Sequence, residues 1–232
     1  MASTNATNFG FATYIYLYFE RDAAKVPMMN AAEALQRLQD GNGRFLAEIH
    51  NRDVSQERRL ALTTGQTPFA VILSCADSRV PPEIIFDQGL GNLFVIRVAG
   101  NVITPEVLGS VEFATSVLGS RLVVVLGHTD CGAVQATLGE ITNPTENLSP
   151  NLQALVDCIR PSIAPLLAKD PQKEPESLLS LAIQANIHQS VGQLRQNAHI
   201  APPTPANAGP QIIGAEYSLA TGTVTFFDSE NN

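Results

Sequence analysis

The chain is poor in positive charge, poor in cysteine and free of tryptophan. Its 14 Lys and Arg stand against 22 Asp and Glu, a formal net charge of -8. That balance excludes nucleic acid or an anionic membrane surface as the main partner. Its 3 cysteines, an odd number, exclude a full disulfide framework and point to a reducing compartment with metal or catalytic chemistry. No apolar run approaches the roughly 18 residues of a membrane helix. The opening stretch MASTNATN has no Lys or Arg, so the basic region of a secretory signal is missing. What is present is a globular composition, 44% hydrophobic and only 16% charged, which excludes a disordered chain. With 232 residues the chain is long enough for one large α/β domain and thin for two.

Residues 1–28 read as an N-terminal arm and residues 29–232 as one domain. Within the arm, Tyr14, Tyr16 and Tyr18 alternate with period two in FGFATYIYLYF, so residues 9–19 read as a packing strand or as a segment for membrane or shell association. From Asn30 to Glu48, Ala31, Leu35, Leu38, Phe45 and Leu46 mark an amphipathic helix, which Gly41-Asn42-Gly43 is expected to break into two. Ser55 to Leu62 reads as a further short helix. Phe69–Leu73, Leu93–Val98 and Arg121–Leu126 are unbroken apolar runs, as in strands buried on both faces of a parallel sheet. A helical face over Pro105–Leu118 joins the second to the third as a βαβ crossover. Helices over Leu152–Leu167 and Ser177–Gln196 follow. Gln211–Tyr217 and Thr223–Phe227 close the chain as a hairpin. The expected fold is α/β: a central, mostly parallel sheet flanked by helices, with N-terminal helical arms and a C-terminal strand hairpin.

The chemistry lies where strands end. FAVIL is followed by Ser74-Cys75-Ala76-Asp77-Ser78-Arg79, and RLVVVL by Gly127-His128-Thr129-Asp130-Cys131-Gly132. Ligands of open parallel sheets bind at the carboxyl ends of the strands, so the two groups can share one crevice. Either cysteine alone reads as a small buried hydrophobe. Together, two thiolates and an imidazole suit zinc, and three protein ligands leave a fourth position for water. Cys131 also opens a helix, whose N–H groups favour a thiolate. Asp77 is either the fourth ligand or the partner of a metal-bound water. Arg79 is placed to pair with it and hold it off the metal. Cys158 reads as core, and His50, His188 and His199 as surface residues.

At these residues the chain resembles the β-class carbonic anhydrases, in their plant-like and bacterial subclass. CADSRVPPE (75–83), GNLFVIRVAGNV (91–102), GHTDCGAV (127–134) and GAEYSLATGTV (214–224) carry the resemblance, which runs from about Asn30 to Phe227. It implies one zinc per subunit on Cys75, His128 and Cys131. It implies an Asp77–Arg79 dyad, Asp77 accepting a hydrogen bond from zinc-bound hydroxide, and a closed state in which Asp77 itself binds the metal. Gln66, Phe94, Ala99, Phe113 and Gly132 are the substrate-pocket positions it implies. Three positions depart from the pattern. Phe113 stands where plant-like members carry Tyr, and Ala99 where a β-branched residue is common. Ile72 stands where the other subclass places the Trp of an off-site bicarbonate pocket, although Arg97 of that pocket is retained.

The implied reaction is reversible hydration of CO2 to bicarbonate and a proton, a lyase activity rising toward alkaline pH because two thiolates donate charge to the metal. The implied assembly is a homodimer or larger homo-oligomer, and the thiolate site favours the cytoplasm. Two other readings stand beside it. One is a hydrolase of carbonyl sulfide or carbon disulfide on the same scaffold. The other is a weakly active zinc scaffold or assembly protein docking through residues 9–19.

Overall fold

A computed structural model describes residues 29–169, 174–201 and 209–227. The arm expected over residues 1–28 lies outside them.

The first helix, α1 (Ala31–Leu46), starts where Asn30 and Glu33 cap each other: Asn30 Oδ1 accepts from Glu33 N at 2.9 Å, and Glu33 Oε2 from Asn30 N at 3.1 Å. The helix does not break at Gly41-Asn42-Gly43. A Cβ at Gly41 would collide with the Phe86 carbonyl, so the glycine serves close packing. Asn42 is buried, donates to the carbonyls of Ile85 and Gly222, and accepts from Val224 N at 2.9 Å. These tertiary bonds outweigh the weak local propensity for helix. Ser55 then caps α2 (Gln56–Ala61) through its hydroxyl.

The strands are β1 (Ala70–Ser74), β2 (Leu93–Arg97), β3 (Leu122–His128), β4 (Gln211–Tyr217) and β5 (Val224–Phe226), in the order β2-β1-β3-β4-β5. Every pair is parallel except β4 with β5, which forms the expected antiparallel hairpin. All of β1 and β3 is buried, as their unbroken apolar runs require, whereas β2 lies on an edge and is only half-buried. Between them come α3 (Pro82–Ile85), α4 (Pro105–Glu112), α5 (Gly132–Thr142), α6 (Pro150–Lys169) and α7 (Pro175–Gln196). The helix expected over 105–118 is α4, capped by Thr104, followed by a wider π-type turn over Phe113–Val117.

Alternation along the strands splits the core in two. Val71, Leu73, Val123 and Val125 face one cluster with residues of α4 to α7. Ala70, Ile72, Leu122, Val124 and Leu126 face another with α1 and the terminal hairpin. Cys75 and Cys131 belong to the first cluster, so the chemistry falls on the side covered by α7. That helix is seated by Ile187, whose side chain fills the space a Cβ would take at Gly127 and at Gly214 on the adjacent strands β3 and β4. Burying such a side chain contributes about 1.5–3 kcal/mol. It also fixes where α7 sits against the strand that ends in His128.

Candidate metal centre

β1 and β3 are adjacent and end side by side, Ser74 opposite Leu126, so Cys75 just past β1 comes beside His128 at the tip of β3. Thr129 and Asp130 then turn the chain, Asp130 in the left-handed region at φ 55°, and Cys131 stands just before the first residue of α5. The Sγ atoms of Cys75 and Cys131 and a ring nitrogen of His128 all lie within 4.8 Å of one another, and all three residues are buried.

The donor set fits zinc. A tetrahedral ion with ordinary Zn–S and Zn–N bonds spaces such ligands about 3.5–3.8 Å apart. His128 Nδ1 lies 2.8 Å from the Thr129 carbonyl, which makes Nδ1–H the donor and leaves the Nε2 lone pair to bind. Nε2 is fully buried with no hydrogen-bond partner among the described residues, a state that an ion would relieve. The neighbouring Cys131 thiol, and more weakly His128 and the N–H of Gly100, hold the Cys75 thiol down at about 4 against the effect of burial. Cys131 is pushed up by Cys75 and by burial, partly opposed by the N–H groups of Val134 and Ala133. Burial disfavours charge on His128, but Cys75, the Thr129 carbonyl and Asp77 more than offset it and raise its pKa. A cation bound here would compete with protons for the two sulfurs.

Asp77 and Arg79 meet at the rim. Arg79 Nε donates to Asp77 Oδ1 at 3.0 Å, its terminal nitrogen to Oδ2 at 2.7 Å, and its backbone N–H to Oδ1 at 2.9 Å. The guanidinium holds the Asp77 carboxyl well below the usual carboxylate range. Asp77 Oδ2 also lies 3.9 Å from His128 Nε2, so the carboxylate faces the ligand set.

Sequence reasoning assigned no role here to the local strut Arg97. Its Nε donates to the Cys75 carbonyl at 3.2 Å and its terminal nitrogen to the Asp77 carbonyl at 2.6 Å, fixing the backbone on both sides of Ala76. No local sequence signal marks this contact, because it depends on β2 pairing with β1. Of the expected pocket residues, Phe94 and Phe113 pack with ring centroids 6.3 Å apart. Ala99 opens the turn that carries Gly100, and Gly132 starts α5 beside Cys131. Gln66 is exposed between α2 and β1. Cys158 is half-buried and packed against the first cluster, and His50, His188 and His199 are exposed.

The chain is similar to known proteins. The family model described as carbonic anhydrase matches residues 70–224. A carbonic anhydrase of Mycolicibacterium smegmatis is 41% identical over 201 residues, covering 86% of this chain and 94% of that protein. Carbonic anhydrase 2 of Mycobacterium tuberculosis is 38% identical over 208 residues, covering 89% and 98%. Among solved structures, the β-carbonic anhydrase CafA of Aspergillus fumigatus shares the fold with a TM-score of 0.67 at 24% identity, over 87% of this chain and 92% of that one. A β-carbonic anhydrase of Sordaria macrospora, described as tetrameric, gives 0.64 at 21% identity, over 74% and 85%.

Proposed function

The chain belongs to the β-class carbonic anhydrases, enzymes of reversible CO2 hydration, and we propose that it carries out this reaction with one zinc per subunit held by Cys75, His128 and Cys131. The observation that carries this reading is the buried, unpartnered His128 Nε2 among two buried sulfurs. Zinc, when bound, supplies the acidification of a water molecule that makes it a nucleophile near neutral pH.

The residues of the chain supply the rest. CO2 and water yield bicarbonate and a proton, so the reacting oxygen must present a lone pair to carbon. Asp77, held ionised by Arg79, can only accept a hydrogen bond. The oxygen facing it must therefore turn its hydrogen toward Asp77 and its lone pair elsewhere. Arg79 keeps the carboxylate in that attitude, and Arg97 holds the Cys75–Asp77 backbone under it. Phe94, Ala99 and Phe113 offer an apolar wall suited to a small linear substrate, Gly132 leaves room beside Cys131, and Gln66 is assigned to hydrogen-bond the product. In the closed state that the family resemblance implies, Asp77 would join the residues holding the metal and would have to give up its contacts with Arg79.

Assembly as a homodimer or larger homo-oligomer is supported by apolar side chains left exposed on α1, α2 and their surroundings: Leu46, Ile49, Val54, Leu60, Ile84 and Leu90. The partners are CO2, bicarbonate and further copies of the chain. A centre built on thiolates suits the reducing cytoplasm. No helix among the described residues is long and apolar enough to cross a membrane.

Stopped-flow CO2 hydration on zinc-loaded protein, from about pH 6.5 to about 9, tests the reading. Turnover rising toward alkaline pH is expected. Metal analysis of Cys75→Ala is expected to show loss of zinc, and stoichiometric zinc in that variant would overturn the ligand assignment.

A further inference from the structure

The inner face of α7 is an apolar stripe with two polar residues set into it. Ala182, Ile183, Ile187, Val191 and Leu194 are buried there, and so are Asn186 and Ser190, each 1% exposed. The two lie four residues apart, one above the other on the helix. Asn186 Nδ2 donates to the Gly100 carbonyl at 2.7 Å, and Ser190 Oγ to the Asn101 carbonyl at 3.0 Å. Both carbonyls belong to the turn over Ala99–Asn101, whose Gly100 and Asn101 sit in the left-handed region at φ 70° and 44°. That turn places Gly100 N–H 3.4 Å from Cys75 Sγ. A Cβ on Gly100 would run into Ile159 of α6 and press on Ala133 of α5, so only glycine fits.

We propose that Asn186 and Ser190 are positioning residues of the metal centre, which clamp the Ala99–Asn101 turn so that Gly100 N–H is aimed at the Cys75 sulfur and so set how tightly that sulfur binds metal. The inference rests on the reading of Cys75 as a zinc ligand. Asn186 Oδ1 and Asn101 Nδ2 are buried without hydrogen-bond partners among the described residues, so the polar contact of α7 with this turn is retained beside two unsatisfied atoms. A turn with two consecutive left-handed residues, one of them not glycine, holds only where its surroundings over-determine it. Here α7 supplies two bonds to two successive carbonyls. A hydrogen bond to a ligating thiolate withdraws charge from it, and its direction is set by the backbone that donates it. Groups of this kind behind a ligand typically change metal affinity by about 10–100-fold when removed.

The test uses the full-length chain and five variants: Asn186→Leu, Ser190→Ala, Ser190→Thr, Cys75→Ala, and Ile183→Val as a control on the same helix. Zinc release is followed with a chromophoric chelator. The sulfur-to-metal charge-transfer band is recorded on the cobalt-substituted protein, and thermal melts report stability. Asn186→Leu is expected to release zinc roughly tenfold faster and to shift the band, and Ser190→Ala to do the same more weakly. Ser190→Thr, which keeps the hydroxyl, is expected to restore both. Ile183→Val, which trims a buried apolar side chain of the same helix, is expected to lower the melting temperature with release and band unchanged. The proposal is overturned if the polar-to-apolar variants keep wild-type release and band, or if the control moves them equally. Should Asn186→Leu fail to fold, Ser190→Ala and Ser190→Thr decide. Cys75→Ala separates the two levels: zinc retained there removes the ligand assignment and this inference with it, whereas zinc lost there beside unchanged α7 variants removes this inference alone.

Discussion

Asp77 and Asp87 each have a carboxylate oxygen 2.7 Å from an arginine nitrogen, yet the two pairs are built differently. Asp77 and Arg79 are two residues apart at the rim of the metal centre, with 18% and 55% of their side chains exposed. Asp87 is completely buried after α3, in the left-handed region at φ 44°, and its partners come from far away. Arg44 reaches it from α1, the backbone N–H of Asn51 meets both carboxylate oxygens at 3.1 Å, and Arg52 stands 3.9 Å off. A pair within one loop forms without help from the rest of the chain and can exchange partners without unfolding anything. A pair between distant segments exists only when the fold does, and fastens it. The same two side chains thus serve chemistry in one place and architecture in the other, and sequence separation and burial decide which.

Substitutions can separate these roles. Asp77→Asn is expected to have the largest effect: CO2 hydration falls about a hundredfold or more while metal content and melting temperature stay near wild type. Surviving turnover in stopped flow would show that the rim pair is ornamental and the contrast false. Arg79→Ala comes next, with roughly a tenfold loss of turnover, since Asp77 remains but is no longer aimed; a crystal structure with Asp77 unmoved would count against this role.

Asp87→Asn should behave in the opposite way, leaving turnover per folded molecule intact and lowering unfolding free energy by about 1–3 kcal/mol in urea titrations at neutral pH. Burial tends to raise the Asp87 pKa, but Arg44, the Asn51 N–H and Arg52 outweigh it and lower it. A depressed carboxyl stabilises the fold fully above its unfolded-state pKa and loses that contribution as pH falls through the folded-state value. The gap between wild type and Asp87→Asn should therefore narrow in acid, and a gap that stays constant with pH would contradict an ionised Asp87. Arg52→Ala is the smallest, at most about 0.5 kcal/mol, because its contact is long and partly exposed. A loss as large as that of Asp87→Asn would make Arg52, rather than Arg44, the main partner.

Features whose signal is local can be read from the residues alone. Unbroken apolar runs identify β1 and β3 because strands buried on both faces leave no polar position. The candidate ligands Cys75, His128 and Cys131, and the Asp77–Arg79 pair, are legible because each group is a short motif immediately beyond such a run. The remaining features depend on contacts between distant segments. Gly41-Asn42-Gly43 predicts a break, and the helix continues because Asn42 bonds to residues from two distant segments. That β1 lies between β2 and β3 is a matter of pairing, and it puts Arg97 against the Cys75 and Asp77 carbonyls. Asn186 and Ser190 read as ordinary polar residues of a helix until Ile187 seats α7 against Gly127 and Gly214 and brings them to the turn over residues 99–101. The physical reason is common to all three. Periodicity and turn chemistry act within a few residues, whereas a buried polar group takes its meaning from whichever distant partner close packing delivers to it.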